Sequence, residues 1–77
     1  MKLTEAVAKR LEGILNDRQL KQSYLFKNGG IPRATVSVIL GAKRKTIKLD
    51  TIYQICDTLK MTLKEFFDNP IFEEVTD

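Results

Sequence analysis

The stretch GGIPRATVSVILGAKRK, residues 29–45, sets two glycines and a proline ahead of one short apolar-patterned segment, and three basic residues behind it. Val36, Ile39 and Leu40 stand at i, i+3 and i+4, the spacing that puts side chains on one face of a helix. Arg33 and Ser37, four apart, line the opposite side, with Ala34 and Val38 on a flank. Pro32 suits the opening of a helix, where a missing N–H costs nothing, and Gly41 stops it, so the spacing predicts a helix over 32–40. Upstream, a helix over 22–28 draws its apolar contacts from Leu20, Leu25 and Phe26 and is stopped by Gly29-Gly30. At least one of those glycines is expected in the left-handed conformation that ends a helix sharply.

The same periodicity extends outward. Val7, Leu11, Ile14 and Leu15 form one stripe of a helix over 4–17, with Thr4 as the expected N-cap and Glu5 placed to suit the helix dipole. Ile52, Ile55, Cys56 and Leu59 repeat the pattern over 49–59. Thr62 and Glu65 have the capping-box spacing ahead of Phe66-Phe67, so a short fifth helix begins there and Asn69-Pro70 ends it. No repeat, low-complexity run or strand-like alternation interrupts this series. The class is all-α: five short helices over 1–68, then a tail, 69–77, that is acidic but carries Ile71, Phe72 and Val75.

Seventy-seven residues are near the lower end of what folds alone, and they leave little room for a deep catalytic cleft. There is no histidine, which removes histidine-based acid–base and nucleophile chemistry, and the single cysteine makes a zinc site improbable. Cys56 lies in an apolar stripe, where a small core residue is the bland and favoured reading. An enzyme is therefore not expected, nor a cofactor or metal. The apolar runs are too short to span a bilayer and no signal-peptide core follows the N-terminal lysine. With the lone cysteine this points to the cytoplasm, with a nucleoid-associated protein of bacterial or mobile-element origin as the expected setting.

Charge is strongly segregated. Residues 18–49 contain Arg18, Lys21, Lys27, Arg33, Lys43, Arg44, Lys45 and Lys48 and no acid, +8 over 32 residues, whereas the rest of the chain carries −5. A solvated face ordinarily mixes signs, so this pattern points to an anionic partner, of which nucleic acid is the commonest. The aromatic residues do not suggest base stacking: Phe66 and Phe67 sit on the acidic side, where a nucleic-acid backbone is repelled.

Two helices about a tight glycine turn make a helix-turn-helix, whose second helix enters the DNA major groove. The acid-free stretch covers this motif and its flanks. At this point the chain resembles the Cro / lambda-repressor-like helix-turn-helix transcription regulators, from about residue 4 to residue 67. In that family's pattern a turn glycine is followed by apolar residues six and nine positions later, and Gly30, Val36 and Ile39 fit. LDTIYQICDTLKMTLKEFF, residues 49–67, looks like the family's last two helices. Several positions depart. Phe26 stands where a small residue is usual, and its ring must find room, with the space above Gly29 as one place for it. Leu40 replaces a frequent glutamate, Gly41-Ala42 stands where a later glycine is usual, and Lys21-Gln22 replaces a Ser/Thr-Gln opening.

The resemblance implies a compact five-helix DNA-binding domain with Arg33, Ala34, Ser37 and Val38 facing base edges and Gln22, beside Lys21, meeting phosphate. The chemistry of those side chains agrees. Arginine's fork matches guanine O6 and N7, serine donates or accepts, and Ala34 and Val38 suit thymine methyl groups. Lys43, Arg44 and Lys45 suit phosphates, which set register rather than sequence. The bland alternatives stay open: Ala34 and Val38 as core, Ser37 as neutral surface, and 43–45 as a solvated loop.

So short a helix reads few base pairs, so a homodimer on a near-palindromic double-stranded operator is expected. Phe66, Phe67, Ile71, Phe72 and Val75 are the dimer candidates, or equally a cap on the monomer's own core. The leading reading is a sequence-specific regulator acting as a repressor. The competing one is an antitoxin-like interaction module that keeps a DNA-binding helix-turn-helix and holds a protein partner through its tail; a sequence-independent architectural binder is a third.

Overall fold

The computed structural model describes residues 1–76; the last residue of the expected tail, Asp77, lies outside the described residues. Five helices follow in order: α1 (Leu3–Asp17), α2 (Ser23–Gly29), α3 (Arg33–Leu40), α4 (Leu49–Thr58) and α5 (Leu63–Phe67), then a 3₁₀ turn, Pro70–Glu74. The stripes expected from spacing are the buried ones. Val7, Leu11, Ile14 and Leu15 of α1 meet Leu25, Val36, Ile39, Ile52, Ile55, Cys56, Leu59 and Phe66 in a single core. α1 packs on α3 and on the 3₁₀ turn, α2 on α3 and α4, and α4 on α5. Burial pushes the Cys56 thiol up from its ordinary value, with the Arg10 charge opposing, which suits an inert core position.

The helix ends show what periodicity leaves open. α1 begins two residues earlier than a Thr4 cap would allow: Glu5 accepts from the Lys2 backbone N–H at 2.9 Å, so Lys2 is the cap and Thr4 is buried. Thr62 and Glu65 do form the reciprocal box, the Glu65 N–H donating to Thr62 Oγ1 at 3.0 Å and the Thr62 N–H to Glu65 Oε1 at 2.8 Å. The backbone bond to Thr62, and then the bond to its hydroxyl, hold the Glu65 carboxyl below its usual range.

Three helices end in the same way, and none of the three uses glycine at the left-handed position. Gln19, Ala42 and Lys60 have φ of 57°, 49° and 58°. In each case the next N–H reaches back to close the motif, Leu20 to Leu15, Lys43 to Val38 and Met61 to Cys56, at 2.8, 3.1 and 3.0 Å. Gly41 thus precedes the strained residue: it is the C-cap of α3, at φ −87°, and Ala42 carries the strain.

Two arginines of α1 and its C-cap tie the bundle together. Arg10 donates to the carbonyls of Phe66 and Glu65 at 2.7 and 3.0 Å, closing the end of α5. Arg18 donates to the Leu59 carbonyl. Carbonyls at helix C-termini thereby gain a cationic donor. Arg18, although inside the acid-free stretch, is therefore engaged within the fold. The tail folds back: the Met1 ammonium donates to the Glu74 carbonyl at 2.9 Å and the Thr76 N–H to Met1 at 3.0 Å.

Candidate nucleic-acid interface

The turn between α2 and α3 is set by three neighbours. Gly30 takes φ +66° and ends α2, the expected left-handed glycine. Ile31 then drops into the core at 1% exposure, and Pro32 caps α3 in an extended conformation rather than forming its first residue. Gly29 serves a different purpose. A Cβ there would lie 2.1 Å from Thr58 Oγ1, and its carbonyl accepts from the Gln54 side-chain amide at 3.0 Å. Its missing side chain admits α4, not the ring of Phe26 as the sequence suggested.

Anchored in this way, α3 buries Val36 and Ile39 and turns Arg33, Ala34 and Ser37 to solvent, with Val38 half-buried. Ala34 is therefore not core. Shallow clefts flank the helix. One, of about 550 Å³, is bounded by Gln22, Ser37 and Lys43 together with Leu15, Leu20 and Leu40. The other, of about 360 Å³, is bounded by Ala34, Val38, Arg44, Thr46 and Lys48 among others. Both mix α3 side chains with candidate phosphate contacts, Gln22 and Lys43 in the first and Arg44 in the second, whereas Lys21 and Lys45 line neither.

Around α3 the contacts are few. Lys43 Nζ donates to Ser37 Oγ at 3.3 Å, linking a candidate base contact to a candidate phosphate contact and leaving the serine O–H able to donate. Gln22 is the N-cap of α2 and makes no side-chain cap bond. Lys21, Arg44 and Lys45 are exposed, and among the described residues no carboxylate pairs with them. Arg33 differs from every other arginine: its guanidinium lies over the Phe26 ring, 4.7 Å from the centroid. Thr46 and Thr51, which line the second cleft, carry no sequence signal of their own. Lys48 is legible only as one more charge in the acid-free stretch.

The candidate dimer residues divide. Phe66 is 0% exposed, ringed by Phe67 and Phe72 at centroid distances of 5.1 and 6.2 Å, so it belongs to the monomer's core and cannot meet a partner. Phe67 is exposed, and Ile71, Phe72 and Val75 are half-buried. Leu49 and Tyr53, four apart on α4, are also open to solvent at 68% and 60%, an apolar pair that the core stripe of that helix did not announce. Among the described residues no helix is long and apolar enough to cross a membrane.

Residues 10–70 match the family model for the Cro/C1-type HTH DNA-binding domain. No curated protein and no solved structure matches the chain.

Proposed function

The chain belongs to the Cro/C1-type helix-turn-helix DNA-binding family, and from that premise we propose that it is a repressor which binds a near-palindromic duplex as a homodimer and reads it with α3. As a family member it is a DNA-binding transcriptional regulator; the reading adds groove, stoichiometry and sign. The observation behind it is the outward edge of α3, with Arg33, Ala34 and Ser37 exposed and candidate phosphate contacts in the clefts on either side. An α-helix with its side chains is about 10–12 Å across, which the roughly 12 Å width of a B-form major groove admits.

In this arrangement Arg33 donates its fork to guanine O6 and N7, Ser37 bonds a base edge, and Ala34 and Val38 lie against thymine methyls. Lys21, Gln22, Lys43, Arg44 and Lys45 hold phosphates on both walls of the groove. Residues 1–68 form the DNA-binding unit. The tail from 69 onward supplies the partner contact through Ile71, Phe72 and Val75 beside the exposed Phe67, and two copies place two α3 helices about 34 Å apart. Repression follows from occupancy: a dimer covering a promoter excludes other proteins from the same groove. No step requires a cofactor, a metal or catalysis, and the place of action is the nucleoid.

In vitro selection from a random duplex library, at a low and a higher salt concentration, tests the reading. A two-fold symmetric site with half-sites one helical turn apart is the expected product. Recovery of unselected sequence that washes off at higher salt would leave only phosphate binding. The exposed Leu49–Tyr53 pair favours one further reading, in which the DNA-binding unit also holds a protein partner. Tyr53→Ser would then abolish that complex while sparing DNA affinity.

A further inference from the structure

We propose that Phe26 is a specificity-determining positioning residue: its ring holds the Arg33 guanidinium in place so that the arginine meets guanine already ordered. The inference rests on the reading of Arg33 as a base contact. Its ground is the geometry of the pair, a guanidinium carbon 4.7 Å from the ring centroid. The two residues come from different helices of the motif, Phe26 from α2 and Arg33 from the first turn of α3.

The chemistry of the contact suits the task. A guanidinium has two faces and an edge that carries its five N–H donors. A guanidinium seated over a ring is held by the ring's electron-rich face and needs no hydrogen-bond acceptor, so its N–H fork stays unbonded within the protein and available for guanine. The other tethered arginines are held through their donors: Arg10 by the Phe66 and Glu65 carbonyls and Arg18 by that of Leu59. Arg33 instead sits over a ring. Among the described residues no acceptor competes for it.

The ring itself is not free to wander. Phe26 is half-buried and packed against the core cluster, while Arg33 is exposed, so the fixed partner orders the mobile one. An unrestrained exposed arginine loses its rotamer freedom on binding. The seat over the ring in the free protein removes part of that loss from the binding step. The large aromatic ring of Phe26 thereby acquires a purpose beyond filling space.

The experiment measures affinity for the selected site and for single-base variants of it, using wild type, Phe26→Leu, Phe26→Tyr, Arg33→Ala and the Phe26→Leu/Arg33→Ala double variant. Phe26→Leu is expected to lower discrimination at the guanine that Arg33 reads by about 2- to 5-fold, leaving other positions and non-specific binding unchanged. Phe26→Tyr retains full discrimination, and in the Arg33→Ala background Phe26→Leu has no effect at that base. A uniform loss across all positions, or the same loss with and without Arg33, overturns the assignment and leaves Phe26 a packing residue. If Arg33→Ala changes discrimination nowhere, the base-contact reading itself falls. Independent of DNA and of any variant, the Arg33 side-chain protons should show an upfield ring-current displacement in the NMR spectrum of the free protein. Ordinary arginine shifts there overturn the proposal directly.

Discussion

Gly29→Ala is the substitution whose outcome the packing dictates most closely. Gly29 is the last residue of α2 with no positive φ, so alanine meets no backbone penalty and even gains up to about 1 kcal/mol of helix propensity. The obstacle is Thr58. A new Cβ would stand 2.1 Å from its Oγ1 and 3.0 Å from its Cβ and Cγ2. Thr58 is β-branched and 8% exposed, and its hydroxyl is tied to the Gln54 carbonyl at 2.8 Å, so it cannot rotate away without loss. Overpacking of this kind costs about 1–3 kcal/mol. Taken at the middle of that range, about 2 kcal/mol, and set against the propensity gain, the net is a destabilisation of about 1–2 kcal/mol, or roughly 4–16 °C in melting temperature for a domain this small. Thermal and urea unfolding of Gly29→Ala, Thr58→Ala and the double variant measure it. Thr58→Ala removes Oγ1 and Cγ2, so the double variant should recover more than half of the loss. An unchanged midpoint for Gly29→Ala, or effects that simply add in the double variant, would refute the close α2–α4 approach.

Other expectations follow from the same geometry. Ala42→Gly relieves a left-handed residue and should stabilise the fold by about 1 kcal/mol, read as a higher urea midpoint. The Glu65 carboxyl is held below its usual range by Thr62, so the folded state resists its protonation. Its contribution is complete above the unfolded glutamate value, about 4.3, and is lost as pH falls through the lower folded value. Glu65→Gln should therefore flatten the acid limb of a stability–pH curve, and an unchanged limb would contradict the capping box. Replacing Arg44 or Lys45 by Gln should weaken binding evenly across sequences and lower the slope of log affinity against log salt by about one per protomer.

Much of this fold is legible because its helices are amphipathic in a regular way. Val7, Leu11, Ile14 and Leu15, or Ile52, Ile55, Cys56 and Leu59, declare their burial by spacing alone, and Gly30, with apolar residues six and nine positions on, fits the turn of the family the chain resembles. Pairwise geometry is what spacing does not encode. Gly29 and Thr58 are 29 positions apart, and only the approach of α2 to α4 explains the first glycine of the pair. The strain after α3 falls on Ala42 because the closing hydrogen bond, Lys43 to Val38, fixes which residue must turn left-handed, whatever its neighbour. Phe66 and Phe67 are adjacent and chemically alike, yet one is enclosed and the other exposed, a difference set by the side of α5 that meets the core. For the interface, charge segregation and residue type point to 43–45, whereas Arg33 and Ser37 as base contacts come from the family resemblance, with their chemistry in agreement. The seat of Arg33 over the Phe26 ring needs the two helices in place.

The most direct test of the central claim is dimethyl sulfate footprinting on the selected duplex, since the reagent methylates guanine N7 in the major groove and adenine N3 in the minor groove. Guanine N7 protection is expected at two symmetric positions about one helical turn apart, lost with Arg33→Ala while backbone protection in a parallel hydroxyl-radical footprint persists. Protection confined to adenine N3, or guanine protection that Arg33→Ala leaves intact, would contradict the claim that α3 reads the major groove through Arg33.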